Sequence, residues 1–458
     1  MRTAFVLCSV FGALAGGVSF ANSRPADQPL LHQVAADVSR DALRETIAKL
    51  VSFGTRHTAS ETVSETRGIG AARRWVKAQF DDLNRSCSCL QIETPSQTVT
   101  GERLPKPTEV MDVLAIQRGT GDPNRIIVIS GHLDSRVTDV MNATSDAPGA
   151  DDDGSGAAAV MEAARLLSRH KFSATLVYAV LSGEEQGLYG GKLLAQYAKE
   201  HQWQVEADLN NDIIGNTHGQ SSANDDTHVR VFSEGTRALE TPEQAARRRY
   251  NGGEVDSPSR NLARFIDVLA ERYLSDFDVR MVYRTDRFSR GGDQVAMLEA
   301  GFPAVRFTEA IENYTREHQD VRMENGIQYG DVLAAVDFAY LAQVTRLNVV
   351  AMAALASAPA PATAVKIEGA VSSDTTVSWT PAPGATDYRV WWRETTAPTW
   401  TDNQRAGNAS SLVLKGINID DWFFGVATIS ADGFESPIEF PGPAGAFINP
   451  APTPAAQK

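Results

Sequence analysis

Residues 126–135 read Ile-Ile-Val-Ile-Ser-Gly-His-Leu-Asp-Ser, and they set the architecture predicted for most of the chain. Ile126–Ser130 is a short run rich in β-branched residues, which is typical of a strand buried on both faces. Predicted helices and strands alternate after this run. They are a helix at Gly156–His170, a strand at Ala174–Leu181, a helix at Leu188–Glu200 and a strand at Val205–Ile214. Such alternation indicates an α/β fold, with a mostly parallel sheet covered by helices.

The same pattern extends outward in both directions. Upstream, the predicted elements are helices at Ser39–Phe53 and Thr66–Leu83, then strands at Cys89–Thr94 and Val110–Gln117. Residues 216–258 are polar and are predicted to form an insertion, mostly loop, with one short strand at Val229–Phe232. Downstream, the predicted elements are helix Arg260–Leu274, strand Val279–Tyr283, helix Asp293–Ala300, strand Ala304–Thr308 and helix Asp331–Leu355.

The composition changes after an Ala-Pro linker at residues 358–362. Residues 363–440 contain short strand-like runs at roughly even spacing, which predicts an antiparallel β-sandwich. The runs are Thr375–Trp379, Asp387–Trp392, Ser411–Leu414 and Trp422–Thr428. Trp379, Pro381 and Tyr388 make this part resemble a fibronectin type III module. The Pro/Ala-rich tail, residues 441–458, is expected to be loose.

The first 21 residues are predicted to be a signal peptide, which leaves residues 22–357 as the large domain. Arg2 is followed by an apolar run from Ala4 to Ala15 that is too short to span a bilayer. Small residues at Ser19 and Ala21 fit a cleavage site. The alternative is an ordinary buried N-terminal helix. We therefore expect a secreted or periplasmic protein, and no other stretch is predicted to span a membrane.

Charge and cysteine content narrow the function classes. The net charge of -14 argues against nucleic acid as a partner. Outside the predicted signal peptide the cysteines are Cys87 and Cys89. They are interpreted as two partly buried thiols or as a local disulfide, because no companion metal ligands lie near them in the sequence. Nothing in the sequence indicates an oligomeric state.

Four polar clusters stand next to the predicted strands and helices. Three follow strands directly: Gly131–Ser135, Ser182–Gly187 and Asn211–Gly215. The fourth, Ala147–Gly156, contains Asp151-Asp152-Asp153 and opens a helix. Because open α/β sheets bind ligands at the carboxyl ends of their strands, we expect these clusters to meet at one edge.

The clusters offer one imidazole and several carboxylates, a donor set that suits zinc. Each has an ordinary explanation: a solvated turn for the Asp run, a helix N-terminus for Glu184-Glu185, and a core histidine for His132. Acids crowded in one cleft, however, would repel one another unless cations lay between them. A second histidine is also needed, and His318 follows the strand that ends near Thr308 and approaches the same edge.

At this point the sequence resembles the two-zinc exopeptidases that include bacterial leucyl aminopeptidase. The resemblance covers about residues 39–355 and rests on His-x-Asp-Ser at 132–135, Gly-Ala-Asp-Asp-Asp-x-Ser-Gly at 149–156, the Glu184-Glu185 pair and Asp212. It implies a phosphorylase/hydrolase-like three-layer α/β sandwich. It also implies that Asp152 bridges two zinc ions, with His132 and Asp212 on one and Glu185 and His318 on the other. Glu184 would be the general base and Asp134 an acid that fixes a metal-site group.

The resemblance implies hydrolysis of a peptide bond by a water shared between the two zinc ions. An acidic rim favours a cationic N-terminus, so we expect an aminopeptidase whose substrate is a peptide with a free N-terminus. One alternative is a carboxypeptidase or other amidohydrolase of this fold, using cations among Arg284, Arg287, Arg290 and Arg306. Another is an inactive binding protein that keeps the peptidase fold.

Two details complete the expectations. Many relatives of this kind carry a histidine after Asp293, where this chain has Gln294, so the wall of the substrate site is expected to differ. Aromatic residues near the strand ends either line a side-chain pocket or pack in the core; they are Tyr283, Phe288, Phe307 and Tyr314.

Overall fold

A computed structural model describes residues 22–442 and residue 447. The predicted signal peptide, residues 1–21, lies outside the described residues, as does most of the predicted tail. Within the described part the helices are α1 Pro29–Ala36, α2 Arg40–Val51, α3 Gly68–Cys87, α4 Gly154–Leu167, α5 Tyr189–Glu200, α6 Pro242–Asn251, α7 Pro258–Tyr273, α8 Gln294–Glu299 and α9 Phe338–Ser357.

Twelve strands precede α9 in the described part of the chain. They are β1 Leu90–Glu93, β2 Ser96–Gly101, β3 Leu104–Met111, β4 Val113–Gln117, β5 Asp122–His132, β6 Ala174–Leu181, β7 Gln204–Asn211, β8 His228–Phe232, β9 Asp278–Val282, β10 Ala304–Glu309, β11 Arg322–Glu324 and β12 Ile327–Tyr329. Eight of them form one sheet in the order β1-β4-β6-β5-β7-β10-β8-β9.

The four central strands, β6, β5, β7 and β10, are parallel to one another. Antiparallel pairs occur on both sides of this centre, at β1–β4, β4–β6 and β10–β8, while β8–β9 is parallel. The predicted α/β class with a mostly parallel centre is confirmed, and the flanks make the whole sheet mixed. Since the parallel strands run the same way, their carboxyl ends meet at one edge.

Strand β5 shows why the sheet has helices on both faces. Ile127 and Ile129 belong to the larger core, which also contains α2, α4 and α9. Ile126 and Val128 belong to the opposite core, with α5 and α8. Alternate side chains of a strand point to opposite faces, so a continuous apolar run must be covered twice, as the sequence predicted.

Helix α9 passes through the larger core. Among the described residues it alone is long and apolar enough to span a membrane, with a mean hydropathy of 1.3. However, 83% of its most apolar 18-residue segment is buried inside the protein. The predicted helix began too early, at Asp331. Residues 331–337 instead hold a short 3-10 turn, and Asp337 caps α9 by accepting from the Ala339 and Tyr340 amides. As a result, Asp331 lies outside the helix, and its side chain contacts the candidate site described below.

Two further predictions needed correction. The insertion is mostly loop, as predicted, but it also contains α6, which was not predicted from the sequence; this helix buries no residue and starts at a capping box of Thr241 and Gln244. An apolar-periodicity argument overlooks such a helix. The predicted strand Val110–Gln117 is interrupted at Asp112, and its first residues belong to the β2–β3 hairpin. Of the two interpretations of Cys87 and Cys89, the structure contains the disulfide.

The C-terminal part forms two three-stranded antiparallel sheets. Their strands are β13 Thr363–Glu368, β14 Thr375–Thr380, β15 Asp387–Glu394, β16 Asp402–Gly407, β17 Ser411–Leu414 and β18 Trp422–Ile429, in the orders β13-β14-β17 and β16-β15-β18. Trp379, Tyr388 and Trp392 are buried between them. Arg393 joins this part to the larger one by bonding both carboxylate oxygens of Asp256, at 2.7 and 2.9 Å. The fibronectin type III assignment stays a prediction.

Candidate metal centre

The first group of potential metal ligands comes from the ends of parallel strands. His132 is the last residue of β5, and Asp212 follows the last residue of β7. Asp152 lies just before α4. Nε2 of His132 is 3.3 Å from Oδ1 of Asp152 and 3.8 Å from Oδ1 of Asp212. All three residues are buried.

The second group shares Asp152 with the first. Nε2 of His318 lies 2.9 Å from Oδ2 of Asp152 and 3.2 Å from Oε1 of Glu185. In each group the ligand atoms lie within 4.8 Å of one another. One oxygen of Asp152 therefore faces each group, so the five residues named from the sequence meet at one place.

The donor atoms fit a metal pair. His132 Nε2, Asp152 Oδ2 and Glu185 Oε1 are buried without a hydrogen-bond partner among the described residues. Unsatisfied buried polar atoms are costly, and bound cations would compensate them. Nδ1–H of His132 donates to the main-chain carbonyl of Asp134 at 3.0 Å, which leaves the Nε2 lone pair for a metal ion.

Proton and metal compete for the same imidazole. Burial acts to lower the pKa of His132, but Asp134, Asp152 and Asp212 outweigh it and raise the pKa well above its usual value. A divalent cation bound at Nε2 would take the place of a proton there.

Asp134 connects His132 to the loop that carries the two glutamates. Its carboxylate accepts from the main-chain amides of Gly183 at 2.8 Å, Glu184 at 3.3 Å and Glu185 at 3.2 Å. Burial alone would raise the pKa of Asp134, yet the hydrogen bond and charge of His132 and these amides hold it below its usual value. Asp134 is therefore a positioning residue for both sides of the centre.

Asp331 positions the aspartate run, and sequence reasoning missed it. Its carboxylate accepts from the amide of Asp151 at 2.9 Å and from that of Asp152 at 2.7 Å. Burial and the charge of Asp151 raise the pKa of Asp331 well above its usual value. No motif marks this residue, because 179 positions separate it from Asp152 in the chain.

Asp153 and Arg56 complete the support. The Asp153 carboxylate accepts from the amides of His132 and Gly156, both at 2.8 Å. The fully buried guanidinium of Arg56 donates to three main-chain carbonyls in the loops beside the site: Leu133 at 2.6 Å, Pro148 at 2.6 Å and Gly149 at 2.8 Å. Burial lowers the pKa of Arg56 to about 10, although nearby aspartates, Asp331 first, act to raise it.

Glu184 stands beside the two groups without belonging to either. Its pKa is well above the usual value, first because of burial and then because of the charges of Asp212 and Glu185, while His132 acts to lower it. A carboxylate with a raised pKa next to a metal centre suits proton transfer near neutral pH.

Among the described residues, three of the four arginines that a carboxypeptidase could use are paired with acids. Arg306, fully buried, lies 2.9 Å from Oδ2 of Asp212 and 3.2 Å from Oδ2 of Asp286. Arg287 and Arg290 contact Glu312, at 3.3 and 2.6 Å. The side-chain amide of Gln294 donates to Asp286, so the residue at this divergent position holds the partner of Arg306. The exception is Arg284, which is exposed and stacks over Phe288.

The aromatic candidates have different environments. Phe307 is fully buried in the larger core and does not line a pocket. The hydroxyl of Tyr283 donates to the carbonyl of Pro398, so this side chain contacts the C-terminal part. Phe288 and Tyr314 are exposed. Of the two explanations offered by the sequence, core packing holds for Phe307.

Comparison with known proteins identifies the family. The model of peptidase family M28 matches residues 112–332, which contain all the residues of both groups. A relative from Pyrenophora teres f. teres, described as "Probable zinc metalloprotease", is 41% identical over 437 residues, covering 93% of this chain and 89% of the relative. Another from Leptosphaeria maculans with the same description is 40% identical, covering 92% of this chain and 98% of the relative.

Solved structures show the same fold at low sequence identity. LapB from Legionella pneumophila superposes with a TM-score of 0.52 at 19% identity, covering 73% of this chain and 77% of that one. The Legionella pneumophila LapA aminopeptidase gives 0.51 at 17% identity, covering 75% and 78%. The extended matches to curated relatives confirm the family predicted from the motifs. The chain belongs to peptidase family M28.

Proposed function

We propose that the protein is a two-zinc aminopeptidase that removes the residue at the free N-terminus of a peptide. The observation that supports this most strongly is Asp152, whose two carboxylate oxygens face two different sets of potential ligands. His132, Asp152 and Asp212 would hold one zinc ion, and Asp152, Glu185 and His318 the other. When bound, such a pair lowers the pKa of a water molecule toward 7 and polarises a carbonyl group.

Glu184 is the proposed general base. It accepts a proton from the attacking water and delivers it to the nitrogen of the leaving residue. The raised pKa of its carboxyl group supports both steps, because the protonated form must persist long enough to act as an acid. Asp134 holds the main chain of Glu184 and Glu185 and so positions the base relative to the metal ligands.

The charges around Asp212 favour a substrate α-amine over a C-terminal carboxylate. Arg306, Arg287 and Arg290, which a carboxypeptidase could use there, already face carboxylates. Glu184 and Asp293 are acids beside this side of the centre, and Oδ2 of Asp293 has no hydrogen-bond partner among the described residues. A cationic N-terminus would therefore be attracted to this side.

Turnover of leucyl-4-nitroanilide beside its N-acetylated counterpart tests the proposal. We expect cleavage of the free substrate alone and loss of activity in chelator, restored by zinc. Glu184→Gln should retain zinc yet lose most activity, while Glu200→Gln on the exposed face of α5 serves as the matched control. Preferential cleavage of the acetylated substrate would reject an aminopeptidase, and an active Glu184→Gln would reject the base.

We also propose that the protein works outside the cytoplasm, after removal of residues 1–21. The Cys87–Cys89 disulfide supports this, since disulfides persist in oxidising compartments. Mass spectrometry of the protein from a secreting host should find Asn22 at the N-terminus. An intact N-terminal segment on exported protein would contradict the proposed cleavage.

A further inference from the structure

Two arginines approach Glu185 from separate parts of the chain. Arg103 lies in the turn between β2 and β3, and its Nη1 donates to the main-chain carbonyl of Glu185 at 2.9 Å. Arg136 lies in the loop after β5, and its Nη1 is 4.0 Å from Oε2 of Glu185. The side chain of Arg136 is 15% exposed, so it is in contact with solvent.

These two arginines differ from those near Asp212. Among the described residues, the one acid within 4.0 Å of the Arg136 guanidinium is Glu185, and Arg103 contacts the main chain of Glu185 rather than its carboxylate. The other bonds of Arg136 go to the main-chain carbonyls of Val137 and Thr138, at 3.1 and 3.2 Å. If Glu185 holds a metal ion, its negative charge is already compensated. Arg136 then has no other carboxylate partner within 4.0 Å among the described residues.

The Glu185 side is also the open side. The side chain of His318 is 31% exposed, whereas that of His132 is 1% exposed. A substrate whose α-amine lies toward Asp212 would extend its second residue past Glu185 and His318. The second residue would therefore arrive beside Arg136 and Arg103.

We propose that Arg136, with Arg103 as a second cation, binds the C-terminal carboxylate of the residue that follows the cleaved bond. The preferred substrates are then dipeptides with both termini free. A guanidinium pairs with a carboxylate through two parallel hydrogen bonds, which suits this task better than a lysine would. This inference rests on the proposed aminopeptidase function, because that function fixes which end of the substrate lies toward Asp212.

Four substrates test both proposals at once: Leu-Ala, Leu-Ala-amide, N-acetyl-Leu-Ala and N-acetyl-Leu-Ala-amide. We expect the wild type to prefer Leu-Ala over its amide. Arg136→Gln should lower kcat/KM on Leu-Ala on the order of 10- to 100-fold, the usual effect of losing a hydrogen bond to a charged group, and should lower kcat/KM on the amide much less. Arg136→Lys should lower kcat/KM on Leu-Ala less than Arg136→Gln does. The exposed Arg118→Gln is the matched control.

The two modifications of the substrate, at its N-terminus and at its C-terminus, test the two proposals separately. Equal turnover of Leu-Ala and its amide by the wild type would overturn the carboxylate site. An equal loss on both substrates in Arg136→Gln would also overturn it, because Arg136 would then act only on Glu185. Cleavage of N-acetyl-Leu-Ala as fast as Leu-Ala would instead reject the aminopeptidase function, whatever the effect of the C-terminal amide.

Discussion

The two ligand groups, or halves, of the candidate metal centre lie on different kinds of backbone. His132 and Asp212 stand at the ends of neighbouring parallel strands and are buried. His318 belongs to a loop between β10 and β11, has a left-handed φ of 54° and is 31% exposed. The sheet therefore fixes the first half, while the second half depends on a loop that must hold an uncommon backbone conformation. Asp152 connects them.

Removing the shared ligand should break both halves. Asp152→Asn keeps the shape of the side chain but removes the charge that both groups need. We expect activity to fall on the order of 1,000-fold or more, since metal-ion catalysis supplies several kcal/mol. Bound zinc, measured by elemental analysis, should fall below that of the wild type. Asp146→Asn, at an exposed position, is the control. Full zinc content in Asp152→Asn would contradict a bridging role.

Removing one histidine at a time should sharpen the contrast. His318→Ala and His132→Ala should each lower activity on the order of 100-fold or more, because each leaves a metal ion short of a ligand. His132→Ala should in addition lower the unfolding temperature of the metal-free protein, because it opens a gap in a buried region. His318→Ala should leave that temperature nearly unchanged. Thermal unfolding in chelator measures both variants, and the opposite ranking would refute the distinction between a rigid half and a loop half.

Asp331 tests how the shared aspartate is held. Asp331→Asn replaces one acceptor oxygen with a donor that faces the amides of Asp151 and Asp152. We expect zinc affinity or activity to fall about 10- to 100-fold, as for other residues that orient metal ligands. Competition with a calibrated chelator gives the affinity. Asp320→Asn, exposed and nearby in the chain, should behave as the wild type does. An unaltered zinc affinity in Asp331→Asn would show that Asp151 and Asp152 keep their positions without the Asp331 carboxylate.

Asp208 should give the smallest effect, on stability rather than activity. It lies on β7, below the strand end that carries Asp212, and burial raises its pKa to about 7 from 3.8, although a hydrogen bond from Ser130 opposes this. The folded protein then holds a proton that the unfolded chain releases, so stability falls as the pH rises from about 4 to about 7. Above pH 7 the full destabilisation is present.

Asp208→Asn removes that destabilisation because the amide does not ionise. In urea unfolding with chelator, the variant should exceed the wild type at pH 8 by up to a few kcal/mol. At pH 5 the difference should be much smaller. A constant difference between the two pH values would show that Asp208 does not titrate in this range.

The contrast between the halves also explains what the sequence could predict. Strand ends are visible in the sequence, because a β-branched run such as Ile126–Ser130 is followed at once by His132. The positions of Glu185 and Asp212 follow from the same rule, whereas Asp152 is marked by the start of a helix. His318 could be proposed only from its distance beyond a strand and from a family resemblance. Its backbone conformation has no sequence signal.

Supporting residues were harder to foresee. Asp331 was placed in a helix, because the apolar periodicity of α9 was extended too far toward the N-terminus. Arg56 acts through main-chain carbonyls, which no side-chain pattern can reveal. The arginines at 287, 290 and 306 were open to a carboxylate-binding interpretation until their acid partners were known. Contacts between residues that are distant in the chain determine these roles, and such contacts cannot be predicted from a single sequence.

Zinc-edge anomalous diffraction from crystals of the zinc-loaded protein tests the central claim most directly. The account predicts two peaks, one among His132, Asp152 and Asp212 and the other among Asp152, Glu185 and His318. A single peak, or a second peak away from His318, would contradict a shared two-metal centre.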